Sequence, residues 1–118
     1  MITMMKNYHL YVFTQKSCPP CVRLKDYVET LTTDEQSEID YVSFKTASGE
    51  LTSLASGFGI KKTPTLLVVS IEQSCELDGN GDEICHVVET PVERYEGASY
   101  IIKSLDSLID AYTYAHPD

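Results

Sequence analysis

The stretch Tyr11-Val12-Phe13-Thr14-Gln15-Lys16-Ser17-Cys18-Pro19-Pro20-Cys21-Val22-Arg23-Leu24 governs how the rest of the chain is read. Its first residues end an apolar run, Tyr8 to Phe13, rich in β-formers and short enough for a buried strand. Its last residues open a run, Val22 to Leu31, in which Leu24, Tyr27, Val28 and Leu31 recur at helical spacing. Cys18 and Cys21 therefore stand two residues apart where a strand gives way to a helix. Such a pair forms and breaks a disulfide with little backbone movement, which is the geometry of thiol–disulfide exchange. Pro19 and Pro20 suit a first helical turn, where a missing N–H has no intrahelical acceptor to lose.

A zinc site is the competing reading of any C-x-x-C. It needs a second Cys/His pair. Cys75 and Cys85 lie ten positions apart in a polar segment, and His9, His86 and His116 lack the close spacing of zinc ligands. Redox chemistry is favoured. The attacking thiolate is then Cys18, whose sulfur would sit at the helix N-terminus, where free N–H groups and the helix dipole stabilise negative charge. Lys16 adds positive charge nearby. Cys21, one turn into the helix, would resolve the mixed disulfide. Pro20 withholds one N–H from the Cys18 thiolate, which weakens its stabilisation and favours a reducing protein.

At 118 residues the chain is read as a single domain, 1–118, with an insertion at 72–92. No apolar run approaches the length of a membrane span, and the first residues do not form a secretory signal. A cytoplasmic protein is the expectation. The net charge is −9 and unevenly placed. Residues 1–64 carry seven basic and seven acidic side chains; residues 65–118 carry only Arg94 and Lys103 against eleven acidic ones. An acidic half argues against a nucleic-acid partner. Lys16, Arg23, Lys25, Lys61 and Lys62 are candidates to gather near the cysteines.

Further along, Thr32 to Ser37 reads as a polar loop and Ile39 to Phe44 as an alternating strand. Ser48-Gly49-Glu50 can start a helix with Leu51, Leu54, Ala55 and Phe58 on its apolar stripe, stopped by Gly57 and Gly59. Leu66-Leu67-Val68-Val69-Ser70-Ile71 is an unbroken apolar run, the mark of a central strand covered on both faces. Asp78-Gly79-Asn80-Gly81-Asp82 is a turn signal inside the polar stretch 72–92. Val92 to Tyr95 reads as a fourth strand. Ala98 to Ala115 reads as a helix with Ile101, Ile102, Leu105, Leu108, Ile109 and Tyr112 on one face. The order is β-α-β-α-β-β-α.

Three separated features carry a family resemblance: Cys18-Pro19-Pro20-Cys21, the stretch Phe58-Gly59-Ile60-Lys61-Lys62-Thr63-Pro64-Thr65-Leu66-Leu67, and Glu96-Gly97-Ala98. Together with the element order they resemble the thioredoxin superfamily over nearly the whole chain. The resemblance implies an α/β thioredoxin fold: a four-stranded mixed sheet, helices on both faces, and here an extended hairpin between the third and fourth strands. It implies a protein-disulfide reductase or dithiol electron carrier working through Cys18 and Cys21. It implies a cis Thr63–Pro64 bond whose backbone pairs with an incoming peptide. Lys16, Pro19, Pro20, Gly97 and Ala98 would complete the substrate surface. The implied partners are protein disulfides and a reductase or glutathione as electron donor, with no cofactor, metal, membrane or nucleic acid, on a monomer.

The branch is mixed. Tyr11 to Cys18 is more similar to glutaredoxins and glutaredoxin-like electron donors, for which ribonucleotide reductase is a plausible target. Ser17 stands where thioredoxins usually carry Trp, and Val12 where they carry a buried Asp, which leaves Cys21 without that internal base. Lys45 does match a lysine thioredoxins keep near the Asp. Gly97-Ala98-Ser99-Tyr100 lacks the second glycine and the acid of a glutathione-binding turn. A thioredoxin-like protein without the first thioredoxin strand fits these features, with a glutaredoxin-like donor or a protein-binding module as alternatives.

Cys75 and Cys85 lie symmetrically about Asn80, so a turn there would set them opposite one another. They are either a structural disulfide bracing the hairpin, which needs Cβ atoms roughly 3.5–4.5 Å apart, or two free thiols. Asp78, Asn80, Asp82 and Glu89 echo a calcium loop, but Glu83 occupies its glycine position and the flanks read as strands. A solvated acidic hairpin tip accounts for them.

Overall fold

The computed structural model describes residues 8–113. The elements are β1 (Tyr8–Thr14), α1 (Pro19–Val28), α2 (Thr33–Ser37), β2 (Ile39–Ser43), α3 (Ser53–Gly57), β3 (Thr65–Leu77), β4 (Glu83–Glu96) and α4 (Ala98–Tyr112). They form one mixed sheet in the order β2-β1-β3-β4. β1 runs parallel to β2 and antiparallel to β3, and β3 runs antiparallel to β4.

The two central strands divide their side chains between two cores. Leu10 and Val12 of β1 and Leu66 and Val68 of β3 face α1 and α4, where they meet Leu24, Val28, Ile101, Leu105 and Ile109. Phe13, Leu67 and Val69 point to the other face, onto Phe44, Ala55 and Ile60 around α3. That is why 66–69 is an uninterrupted apolar run: both faces of the strand are covered. Each such side chain contributes about 1.5–3 kcal/mol of burial. The structure is thus α/β, a four-stranded mixed sheet with helices on both faces.

Several local readings need correction. Residues 33–37 are not loop but the short helix α2. Thr32 caps it: its hydroxyl accepts from the Glu35 N–H at 3.1 Å, and the Glu35 carboxylate accepts from the Thr32 N–H at 2.9 Å. The Thr-x-x-Glu signature of that box is present in the sequence. The second expected helix starts late. Residues 46–50 form a turn closed by Thr46 N–H to Glu50 C=O, and Leu51 pairs with Lys45 in an isolated bridge. Only then does Thr52 cap α3. Helix α1 begins at Pro19, with both prolines in its first turn as expected, but ends at Val28, short of Leu31. Residues 114 and 115, read as the end of the last helix, lie outside the described residues.

β3 and β4 extend well beyond the sheet. Among the described residues the β1 pairing reaches Tyr8, opposite Ser70, while β3 and β4 stay paired to Leu77↔Glu83. Residues 71–77 and 83–89 therefore form a two-stranded arm. Its tip is a turn in which Asp78 accepts from the Asn80 and Asp82 N–H groups at 2.8 and 2.9 Å. Pro91 is tolerated because β4 is an edge strand, and the register slips beside it, between Val68 and Val69. Among the described residues no helix is long and apolar enough to cross a membrane.

A polar knot ties α4 to the sheet edge. The hydroxyls of Tyr95 and Tyr112 both donate to the Glu93 carboxylate. These bonds hold the Glu93 carboxyl below the usual carboxylate range, while both phenols are pushed up to about 12, chiefly by the same bonds. The depressed acid supports the fold above its unfolded pKa, and that support is lost as pH falls through the depressed value. The raised phenols support it below about pH 10, and that support is lost as pH rises towards 12. Glu93→Gln should flatten both limbs and lower mid-pH stability by about 1 kcal/mol, allowing for solvent screening. Urea unfolding midpoints measured from acid to alkaline pH check this; unchanged limbs in the variant would refute it.

Candidate active site

Cys18 ends the loop after β1 and is the N-cap of α1, with Pro19 and Pro20 at the first two helical positions. Cys18 and Cys21 are joined by a disulfide, and both are buried. The Cys18 sulfur accepts from the Cys21 N–H at 3.2 Å, and the Cys21 and Val22 N–H groups also reach the Cys18 carbonyl at 3.0 and 3.1 Å. The first turn of α1 thus aims a donor at this sulfur. The preceding residue, Ser17, has φ +57°, a left-handed conformation uncommon outside glycine, which reverses the chain between β1 and α1.

The second half of the site comes from the start of β3. The Thr63–Pro64 bond is cis, and the Thr63 hydroxyl lies 3.4 Å from the Cys18 sulfur. Gln15 holds that hydroxyl from the other side, its side-chain amide donating at 2.8 Å. Gly97, the N-cap of α4 with φ +96°, donates its N–H to the Pro64 carbonyl at 2.9 Å, and Ala98 is buried behind it. Arg94 donates to the carbonyls of Phe58 and Gly59 (3.1 Å to the latter) and so pins the loop that leads into Pro64.

The fold brings together most of the residues singled out in the sequence: Cys18, Cys21, Pro19, Pro20, Thr63, Pro64, Gly97 and Ala98. Lys16 lines an open cleft with Cys18 and Pro19, and with Lys45 lines the neighbouring depression. Lys25 lines a further hollow beside Cys21 and Tyr41. Arg23 is turned instead toward α4, donating to the Ser99 hydroxyl at 3.2 Å. Lys61 and Lys62 are exposed just before Thr63. Val12 is buried in the core beneath α1 and α4, so no acid occupies that position. Gln15 and Arg94 were missed by sequence reasoning, as was the left-handed backbone of Ser17. Gln15 adjoins the motif, but its partner Thr63 is 48 residues away and no spacing rule links them.

Cys75 and Cys85 are not part of this cluster. They are direct cross-strand partners in the arm, joined by a disulfide, with Cα atoms 4.1 Å apart. Two of the four residues that echo a calcium loop have other partners: Asp78 satisfies turn N–H groups, and Glu89 accepts from the Tyr11 hydroxyl at 2.6 Å. Burial and that bond push the Tyr11 phenol well above its ordinary pKa.

Compared with solved structures, the chain is similar to thioredoxins. It overlays on thioredoxin from Fasciola hepatica with a TM-score of 0.56 at 18% identity, covering 92% of this chain and 83% of that one. The chain has the thioredoxin fold. Thioredoxin from Nicotiana alata gives the same TM-score at 21% identity, covering 92% and 76%, and that from Malassezia sympodialis gives 0.56 at 16%, covering 91% and 78%. No family model and no curated protein sequence matches the chain. On this thioredoxin fold a C-x-x-C disulfide stands at the N-terminus of α1 beside a cis-proline loop, an arrangement suited to redox chemistry.

If the disulfide opens, the Thr63 hydroxyl is free to donate to a thiolate at Cys18. A hydrogen bond to a charged group contributes about 1.5–3 kcal/mol, or about one pKa unit at the lower end. Thr63→Val keeps the shape and removes the donor. The pH midpoint for iodoacetamide alkylation of Cys18 should rise by about one unit. An unmoved midpoint would show that the hydroxyl does not stabilise the thiolate.

Proposed function

We propose that this chain is a thiol–disulfide oxidoreductase that reduces protein disulfides in the manner of a thioredoxin. The observation that carries the reading is the placement of the Cys18 sulfur. It is bonded to Cys21, caps α1, accepts from the Cys21 N–H and lies beside the Thr63 hydroxyl.

In the reduced protein, Cys18 attacks one sulfur of a substrate disulfide. That S–S bond breaks, a Cys18–substrate mixed disulfide forms, and the second substrate sulfur leaves with the electron pair. Cys21 then attacks the Cys18 sulfur and expels the remaining substrate thiolate. The protons lost by Cys18 and Cys21 end on the two substrate thiols, so one disulfide is exchanged for another and two electrons pass to the substrate. An external dithiol or glutathione returns the Cys18–Cys21 disulfide to the reduced state.

The surroundings support each part. Pro64 and Thr63 lie beside Cys18, where the Thr63 backbone can pair with an extended peptide. Lys16 supplies positive charge near the thiolate without entering the core. Pro19 and Pro20 stiffen the first turn, and Pro20 has no N–H to offer Cys18, which favours the disulfide form of the pair and hence a reducing protein. The monomeric state and a cytoplasmic location belong to the same proposal.

Insulin reduction driven in parallel by a thioredoxin reductase and by glutathione tests it. Activity is expected with at least one donor and lost in Cys18→Ser. Alkylation of reduced protein near neutral pH should label Cys18 before Cys21. The reduction potential should fall nearer about −270 mV than about −120 mV. Labelling of Cys21 first, or no insulin reduction with either donor, would overturn the proposal.

A further inference from the structure

We infer that the Cys75–Cys85 disulfide is itself a substrate of this chain: the Cys18/Cys21 site of one copy reduces the arm of a second copy. This rests on the reductase reading of the preceding subsection and adds a specific acceptor to it.

The placement of the arm disulfide is unusual for a purely structural one. Both cysteines are exposed, although cysteine is among the most buried residue types. Exposed disulfides are the ones that thiols attack readily. Nor does opening the bond release the arm. The pairs Gln73↔Val87 and Leu77↔Glu83 flank it, and the Asp78 turn closes the tip independently. The two thiols would stay opposite one another, ready to re-form.

Reduction within one molecule is excluded by distance. The active site lies where β3 begins, at Thr65, and Cys75 is ten residues further along the same strand. At about 3.3 Å per residue the two are about 33 Å apart, at opposite ends of the sheet. Exchange must therefore pass between copies.

Charge favours that encounter. The arm carries Glu72, Glu76, Asp78, Asp82, Glu83 and Glu89 and no lysine or arginine. The rim of the active site carries Lys16, Lys45, Lys61 and Lys62, all exposed. The Glu83 carboxylate lies within 4.8 Å of both arm sulfurs. It repels small anionic thiols, and a lysine-rimmed site cancels that repulsion. The β4 edge of the arm, residues 83–89, faces no further strand among the described residues and offers backbone groups to pair with the Thr63 backbone.

The step balances without another reactant. Cys18 of one copy attacks Cys75 or Cys85 of the other, the arm S–S bond breaks, and the displaced arm sulfur takes a proton. Cys21 then attacks Cys18 and releases the second arm thiol. The active site is oxidised, the arm is reduced, and two electrons have moved from one copy to the other.

The test mixes two full-length variants. The donor, Cys75→Ser/Cys85→Ser, is reduced at its active site; the isotopically labelled acceptor, Cys18→Ser/Cys21→Ser, has an oxidised arm. After acid quench, thiol alkylation and peptide mapping, arm thiols in the acceptor should appear in step with disulfide in the donor. The rate should scale with both concentrations and fall about tenfold as ionic strength rises from about 0.01 to about 0.15 M. A donor that also carries Cys21→Ser should be trapped as a covalent heterodimer. An arm that stays oxidised while the donor reduces insulin overturns this inference and leaves the reductase reading standing. Loss of both reactions takes both down. Transfer at a rate indifferent to salt also overturns it, because the arm is then not recognised by its charge.

Discussion

The antiparallel register of β1 against β3 is the constraint on which the site depends. Phe13 lies opposite Thr65. The chain leaving β1 therefore turns toward Cys18 just where the chain entering β3 passes through Thr63 and Pro64. Residues 45 apart in sequence meet at 3.4 Å because of that pairing alone. A slip of one residue would flip Leu66 and Val68 out of the α1/α4 core and Leu67 and Val69 out of the α3 core. Leu10 and Val12 are fully buried while His9 and Tyr11 on the alternate face are only partly so, and β3 is buried on both faces from Thr65 to Val69, so packing fixes the register and the register assembles the site.

The same sheet separates the charges. Its α1 end carries exposed lysines around Cys18. Its far end carries the acidic arm, whose two strands pair with each other along one edge and whose side chains mostly face solvent. Val12 occupies the core under the active site, so the polar contacts of the Cys18 sulfur come from the helix N-terminus and Thr63 and not from a buried acid. The thioredoxin fold is thus kept while the electrostatics of its interior and its distal end are arranged differently from the pattern the resemblance implies.

Much of the fold was legible because its signals are local. The unbroken run 66–71, the stripe of Leu24, Val28 and Leu31, and the stripe of Ile101, Leu105 and Ile109 each state which faces are buried. The misread segments are those where two local signals compete. At 32–37 polar composition suggested a loop, while the Thr32–Glu35 capping box set a short helix. At 48–52 Gly49 and the exposed Leu51 resembled a helix start, but the side-chain cap came later, at Thr52.

By itself the sequence determined the chemistry at hand: which sulfurs can pair over one helical turn, which first-turn N–H is missing at Pro20, and that the arm cysteines stand symmetrically about a turn. Those properties depend on residue identity and on spacings of a few residues. Only the tertiary structure decided what surrounds the sulfurs: Thr63 held by Gln15, Pro64 tied to Gly97, Arg94 pinning the loop before them, and the two disulfides at opposite ends of the sheet. Such contacts join segments distant in sequence, and they exist because strand register and two-sided burial leave the chain one way to close.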